Sequence, residues 1–359
     1  MKQYRVGLTR IPEQLLQKIL YDINIEYAEE LKSYIKRILE AIDWKEIIKR
    51  DSTVCMKVNA CHYEYFPGIT NNLNLIYAAV SLLRERAREV VVGESDLQRY
   101  DGMYALKGCK IKDAAEKAGA TVINFSKDSL IEVNVSNAFK KVKIPRTLIE
   151  ADHFISVPLL KTHKLTTVSI GLKNQFGCIP RRDRLIYHKY LSDTLVDINS
   201  LLEPDIVITD GIVALEGDGP IAGIPKRLGI IIVSNNVLAN DMIGTEIMGF
   251  DWREIDHIRR AAERGIGPSS IDEIEIVGED LNAIRTSFDP PANDIISNGE
   301  RWLMKHTTLS KIVYLSPLFR ILKRTAWIIR KISGYRGDYE RNESIQEIWG
   351  NNYKRLIYQ

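Results

Sequence analysis

The chain has 359 residues, of which 45% are apolar, 27% charged and 8% aromatic. These are globular proportions, and they exclude wholesale disorder, collagen and coiled coil. With 50 Lys and Arg against 47 Asp and Glu the net charge is only +3, so the overall balance makes no case for a nucleic-acid binder. At roughly 100–200 residues per domain, the length predicts two domains or one large α/β unit with additions.

The opening stretch, MKQYRVGLTRIPEQLL, lacks the apolar run of a secretory signal. No uncharged apolar window reaches the ~18 residues of a membrane span. The four cysteines, Cys55, Cys61, Cys109 and Cys178, form no C-x-x-C pair. They read as free thiols of a reducing compartment, so the expected location is cytoplasmic.

In chain order, residues 12–50 come first. Leu15, Leu16, Ile19 and Leu20, then Leu31, Ile35, Ile38, Leu39 and Ile42, recur at helical spacing. They predict a helical N-terminal extension over 1–50. From 51 to 285 the pattern changes to short Val- and Ile-rich runs at 54–59, 90–94, 121–125, 153–159, 205–209, 228–234 and 274–277. Amphipathic stretches separate them at 72–87, 110–118, 191–202, 239–248 and 254–264. Strand runs that largely lack alternation are buried on both faces. The prediction is an α/β core with a doubly wound, mostly parallel sheet and helices on both faces. Residues 286–300 hold two adjacent prolines and read as a linker. The remainder, 301–359, reads as a helical tail. Its first part, 301–337, carries nine Lys and Arg and no acid. Ser316 and Pro317 start a basic amphipathic helix there, with Leu318, Leu322, Ile329 and Ile332 near one face. Such a helix either packs on its own core or docks on an anionic membrane surface or a partner. Nucleic acid is not an expected partner, since stacking aromatics are few and no RNA motif occurs.

In open α/β sheets ligands bind beyond the carboxyl ends of the strands. Three loops there are loaded with polar groups. The first follows residue 159. Between Lys161 and Lys189 it carries seven Lys and Arg against one Asp, with His163, Gly171, Lys173, Asn174, Gly177 and His188. Lys supplies a point charge and Arg a fork, which suit phosphate or carboxylate. The second, ITDGIVALEGDGPIAG, places Asp210, Glu216, Gly219 and Gly223 together, with Asp218 as a substitute for Glu216. Its carboxylates suit a divalent metal such as magnesium or a general base. The third follows Lys57 and Asn59. Its Pro67-Gly68 turn leads to Thr70 or Asn71 as cap of the next helix. Each has a plain alternative: a solvated basic loop, turn chemistry, and capping without ligand. The expected catalytic groups are His163, Asp210 and Glu216, with Asp210, Glu216 and Asp241 as metal holders. Lys57, Asn59, Lys161, Lys173, Asn174, Gly177, His188, Gly219 and Gly223 are the expected ligand contacts.

The order KVNACH, PGITNN, VVVGES, ADHFISVPLLKTHKLTTVSIGLKNQFGCIP, IVITDGIVALEGDGPIAG and VLANDMIGTEIMGFD resembles the domain of unknown function 362 family, over roughly residues 50–280. The family's usual Lys-Pro-Asn stands here as Lys57-Val58-Asn59. Many members carry an added ferredoxin-like four-Cys module. The scattered cysteines of this chain do not supply one, so the resemblance implies no iron–sulfur cluster. It implies a site, not a reaction. The expected function is an enzyme acting on a phosphate- or carboxylate-bearing small molecule. The alternatives are a non-catalytic ligand-binding or redox-accessory protein, and a membrane-peripheral protein of lipid or envelope metabolism. The last would sit on the cytoplasmic face through 301–337.

Overall fold

The structure is a computed structural model that describes residues 3–97, 100–135, 141–180, 184, 187–292 and 342–352, with isolated positions between 298 and 332. The strands are β1 (Tyr4–Arg10), β2 (Thr53–Lys57), β3 (Glu89–Glu94), β4 (Thr121–Asn124), β5 (Leu130–Asn134), β6 (Lys141–Pro145), β7 (His153–Ser156), β8 (Leu159–His163), β9 (Thr167–Ser169), β10 (Ile206–Asp218), β11 (Ala222–Ser234) and β12 (Ile274–Gly278). The main sheet runs β12-β1-β11-β10-β7-β2-β3-β4, with β8 also on β10 and β9 on β8, while β5 and β6 form a separate hairpin. The pairs β10–β7, β7–β2, β2–β3, β3–β4 and β12–β1 are parallel, and β11 is antiparallel to both neighbours.

Successive strand residues alternate between two buried faces. Val54, Met56, Val90, Val92, Ile206, Ile208, Ile231 and Val233 join the core under helices Ala28–Ala41 and Leu73–Arg84. Val6, Leu8, Val207, Ile230 and Ile232 join the opposite core, under helices Val237–Ile247 and Asp256–Glu263. Cys55 and Phe154 pack on that second side with Leu195 and Ile198 of helix Leu191–Leu201. The expected class, a mostly parallel sheet covered by helices on both faces, is the class observed.

Four expectations change. Residues 1–50 are not wholly helical, because β1 lies inside the sheet between β11 and β12. Val6 and Leu8 are buried there, while a Cβ on Gly7 would stand 3.0 Å from Ile38 Cβ, so glycine lets helix Ala28–Ala41 lie directly on the strand. The run 153–159 is two strands, since Pro158 has no N–H for the ladder and Val157 donates to Lys57 O at 2.7 Å. The runs 205–209 and 228–234 are the roots of one long hairpin of 13-residue strands, which passes through Asp210 with an irregularity between Gly211 and Val213. Finally, the start of the presumed linker is docked. Phe288 is buried, Asp289 O accepts from Gly217 N at 2.8 Å, and Ala292 N donates to Asp218 Oδ1 at 2.9 Å. Of the basic helix expected at 316–332 only Thr325, Ile328, Ile329 and Ile332 are among the described residues, where they are helical and exposed; the rest lies outside them. Helix Glu343–Ile348 beyond it packs against β11, with Ile345, Ile348 and Trp349 buried.

Candidate functional site

Three lysines organise the polar centre at the carboxyl ends of β2, β3 and β8. Lys57, the last residue of β2, is 1% exposed. Its ammonium donates to Val58 O at 2.6 Å, Glu94 Oε2 at 2.8 Å and Asn174 Oδ1 at 3.3 Å. Glu94 ends β3, so two adjacent parallel strands deliver the two halves of a buried ion pair. Gly177 lies against that pair, and a Cβ on it would stand 2.8 Å from Lys57 Cε.

Lys161, in β8, is likewise 1% exposed. It donates to Asn59 Oδ1 at 2.9 Å, Cys61 Sγ at 3.4 Å and Ile69 O at 3.4 Å, and makes no ion pair among the described residues. Asn59 ties the two lysines together, because its Nδ2 donates to Asn174 Oδ1 at 3.1 Å and its backbone N to Asn71 Oδ1 at 2.6 Å. Asn174 continues the network to Ser156 Oγ at 2.9 Å, and Ser156 to Gln175 Oε1 at 3.0 Å.

Lys173 is different. It is half-buried in the short helix Gly171–Asn174, has no hydrogen-bond or ion-pair partner among the described residues, and lies 5.2 Å over the Phe176 ring. Burial first, helped by the charges of Lys161 and Arg184 and opposed by Cys61, pushes its pKa down to about 8. His188 meets the same Phe176 ring edge-on at 5.1 Å and donates from Nδ1 to Arg184 O at 2.9 Å. Burial and the Lys173 charge lower three histidines: His163 well below its usual value, His188 to about 4 and His257 to about 3. His163 Nδ1 accepts from Leu165 N at 3.0 Å, so the neutral ring carries its proton on Nε2. His257 Nε2 is buried without a hydrogen-bond partner among the described residues. The site is therefore rich in cations and neutral rings.

The carboxylates expected to hold a metal do not converge. Asp210, in β10, accepts from Asn72 N at 2.7 Å, Ile212 N at 3.2 Å and Asn71 Nδ2 at 3.4 Å, and burial raises its pKa to about 6. Asp241 accepts from Gly171 N at 2.7 Å and Leu172 N at 2.9 Å, and burial raises it to about 7. Glu216 pairs with Lys226 at 2.7 Å, and Asp218 lies 3.5 Å from Lys164. Each acid has its own structural duty, and among the described residues no group of three or more His, Cys, Asp or Glu could hold a metal ion. Gly219 and Gly223 serve the hairpin. A Cβ on Gly219 would stand 2.0 Å from Thr162 O, and one on Gly223 would stand 2.5 Å from Glu216 O. The helix cap is Asn72, whose side chain accepts from Asn74 N and Leu75 N at 3.1 and 3.3 Å, not Thr70 or Asn71.

The structure thus brings together Lys57, Asn59, Lys161, Asn174 and Gly177 in one network, with Lys173, His163 and His188 in one electrostatic cluster beside it. Glu94, Asn71, Cys61, Ser156, Arg184 and His257 were missed. Glu94 carried a usable signal, a buried-type strand ending in an acid. His257 lies on a helix far along the chain and carried none.

The sequence profile of the domain of unknown function DUF362 matches residues 54–246. The chain belongs to this family. The matched span runs from β2 through helix Val237–Ile247, so the DUF362 region includes every residue of the network just described. A thylakoid-associated protein of Synechocystis sp. is 31% identical over 144 residues, which is 38% of this chain and 45% of that protein. The chain thus aligns with less than half of that relative's length. The lactate racemase apoprotein of Thermoanaerobacterium thermosaccharolyticum superposes with a TM-score of 0.41 at 10% identity, over 70% of this chain and 58% of that one. Among the described residues no helix is long and apolar enough to cross a membrane.

Proposed function

We propose that this DUF362 protein is an enzyme that binds a small carboxylate- or phosphate-bearing molecule at the carboxyl ends of β2, β3 and β8. One observation carries the reading. Lys161 is almost fully buried and Lys173 half-buried, yet neither makes an ion pair among the described residues. A buried ammonium without a counter-charge is costly. Asp210 acts on Lys161 through space without touching it, and an anionic ligand would supply the direct counter-charge, and with it a reason for two lysines and Arg184 to share one place. The low-pKa amine of Lys173 is a group able to exchange a proton near neutral pH.

Thermal unfolding with orthophosphate or malonate, against chloride at matched ionic strength, tests the reading. Stabilisation that grows with ligand concentration is expected for the wild type. It should disappear in Lys161→Gln and Lys173→Gln. Equal response of wild type and both variants, or none in any of them, removes the reading.

A second reading concerns location. The relative's printed name, a thylakoid-associated protein, and the acid-free basic stretch 301–337 support peripheral attachment to an anionic membrane. Co-sedimentation with anionic liposomes should be lost when the chain is ended at residue 298. Equal sedimentation of both forms rules out attachment through the tail.

A further inference from the structure

The three lysines of the site are not equivalent in their hydrogen bonds. An ammonium has three protons to place and no lone pair to offer. Lys57 places its three on Val58 O, Glu94 Oε2 and Asn174 Oδ1. Lys161 places its three on Asn59 Oδ1, Cys61 Sγ and Ile69 O. In both, every N–H donor is accepted. Lys173 has no acceptor at all among the described residues, and its Nζ rests 5.2 Å over the Phe176 ring. Nothing there rewards the third proton beyond the ring face. Lys161 and Arg184 both act against it electrostatically, and the group that acts on Lys173 in the opposite sense is the Cys61 thiol, not a carboxylate. A lysine next to other cations, partly withdrawn from water and released from hydrogen bonds, is a nucleophilic amine.

We infer that Lys173 forms an imine with a carboxylate-bearing carbonyl compound, a 2-oxo acid being the smallest of that class, whose carboxylate sits in the positive field of Lys161 and Arg184. This rests on the anion-binding reading above and names its substrate class. The step balances without any redox partner. The Nζ lone pair of the neutral amine attacks the carbonyl carbon, and the C=O π pair moves to oxygen, which takes up a proton. Nitrogen loses a proton to give the neutral carbinolamine. The hydroxyl then leaves as water with one added proton, taken from solvent, as the C=N bond forms.

The purified full chain is incubated with pyruvate or 2-oxoglutarate, reduced with sodium borohydride and digested for peptide mass mapping. The expected result is one modified peptide, carrying Lys173, heavier by the mass of the acid less one oxygen atom. Acetone, a carbonyl without the carboxylate, should give no such peptide. Lys173→Arg, which keeps the charge and cannot form the imine, should lose the adduct while still unfolding cooperatively. Lys173→Met serves as a second variant if the arginine does not fit. A wild type that is thermally stabilised by the oxo acids but yields no Lys173 adduct overturns the imine and leaves anion binding intact. Adducts spread over surface lysines, unchanged in Lys173→Arg, also overturn it. Neither stabilisation nor adduct removes both the imine and the reading beneath it.

Discussion

Lys57 and Glu94 form a closed pair, 1% and 4% exposed, and the cost of disturbing it depends on how it is disturbed. Glu94→Ala leaves an ammonium buried without its anion, which costs about 3–5 kcal/mol. Chemical denaturation should show that loss, and the double replacement Lys57→Met with Glu94→Leu should recover much of it. Recovery follows because two well-packed apolar groups need no counter-charges. The titratable groups of the site give two opposite pH signatures. Burial holds His257 at about 3, whereas the ring in the unfolded chain takes up its proton near 6.5. Between those values the unfolded state binds more protons, so stability falls as pH drops through the window. Thermal midpoints of His257→Gln should therefore change less than wild type between pH 6.5 and 5. Asp210 has the reverse sign. Burial raises its folded pKa to about 6 against 3.8 for the free side chain, so its contribution is lost as pH rises from 3.8 through 6. Asp210→Asn should flatten that part of the profile.

At the scale of elements, the β10–β11 hairpin acts as a frame for β8. Thr162 donates its hydroxyl to Gly217 O at 2.7 Å, and Lys164 N donates to Gly219 O at 3.2 Å. Gly219→Ala would drive a methyl group onto the Thr162 carbonyl oxygen, which is backbone and cannot swing aside. The variant is expected to melt earlier than wild type and to lose anion-dependent stabilisation, although Lys161 and Lys173 are untouched. Unchanged anion response would show that β8 does not depend on the hairpin tip. This is also where the sequence was hardest to read. The apolar run ended at Thr209 because Asp210 and Gly211 look like a turn. Only the fold shows that Asp210 is fed by the N–H of Asn72 from another loop, which lets a buried acid sit in mid-strand. The parallel strands β2, β3 and β4 were legible from their Val and Ile runs, and so were Lys57, Asn59, Lys161 and Asn174, which stand at or near strand ends. Glu94 showed only as an acid ending a buried-type strand; its pairing with Lys57, and the parts played by Cys61 and Ser156, were not legible, since nothing in linear spacing tells which strand ends are neighbours. The expected metal set does not assemble: Asp210 and Glu216 lie along one strand, β10, and Asp241 in helix Val237–Ile247, and each is bonded to its own local partners.

Across the whole molecule, the C-terminal helix is fastened to the loop that carries the site. Trp349 donates from Nε1 to Pro67 O at 2.9 Å and meets Phe66 edge-on at 6.1 Å, while Arg227 in β11 pairs with Glu347 at 2.9 Å. Trp349→Ala removes a fully packed aromatic and should cost about 3–5 kcal/mol. Hydrogen exchange should quicken at Asn71 and Thr70, whose amides are bonded inside that loop. If exchange there is unaltered, the helix does not brace the loop.

The placement of β1 has a consequence for how the chain comes to be folded. Val6 pairs with Ser234 on one side and Ile276 on the other, so both neighbours of the first strand are synthesised more than two hundred residues after it. During translation β1 emerges with both edges bare. The parallel strands β2, β3, β7 and β4 can assemble well before its own partners exist. Contacts of such long sequence separation close last and slowly. The sheet itself is then closed by the capture of the first strand by the last of the described strands, and a chain stalled before residue 274 would leave one edge of β1 open to pairing with a neighbouring copy.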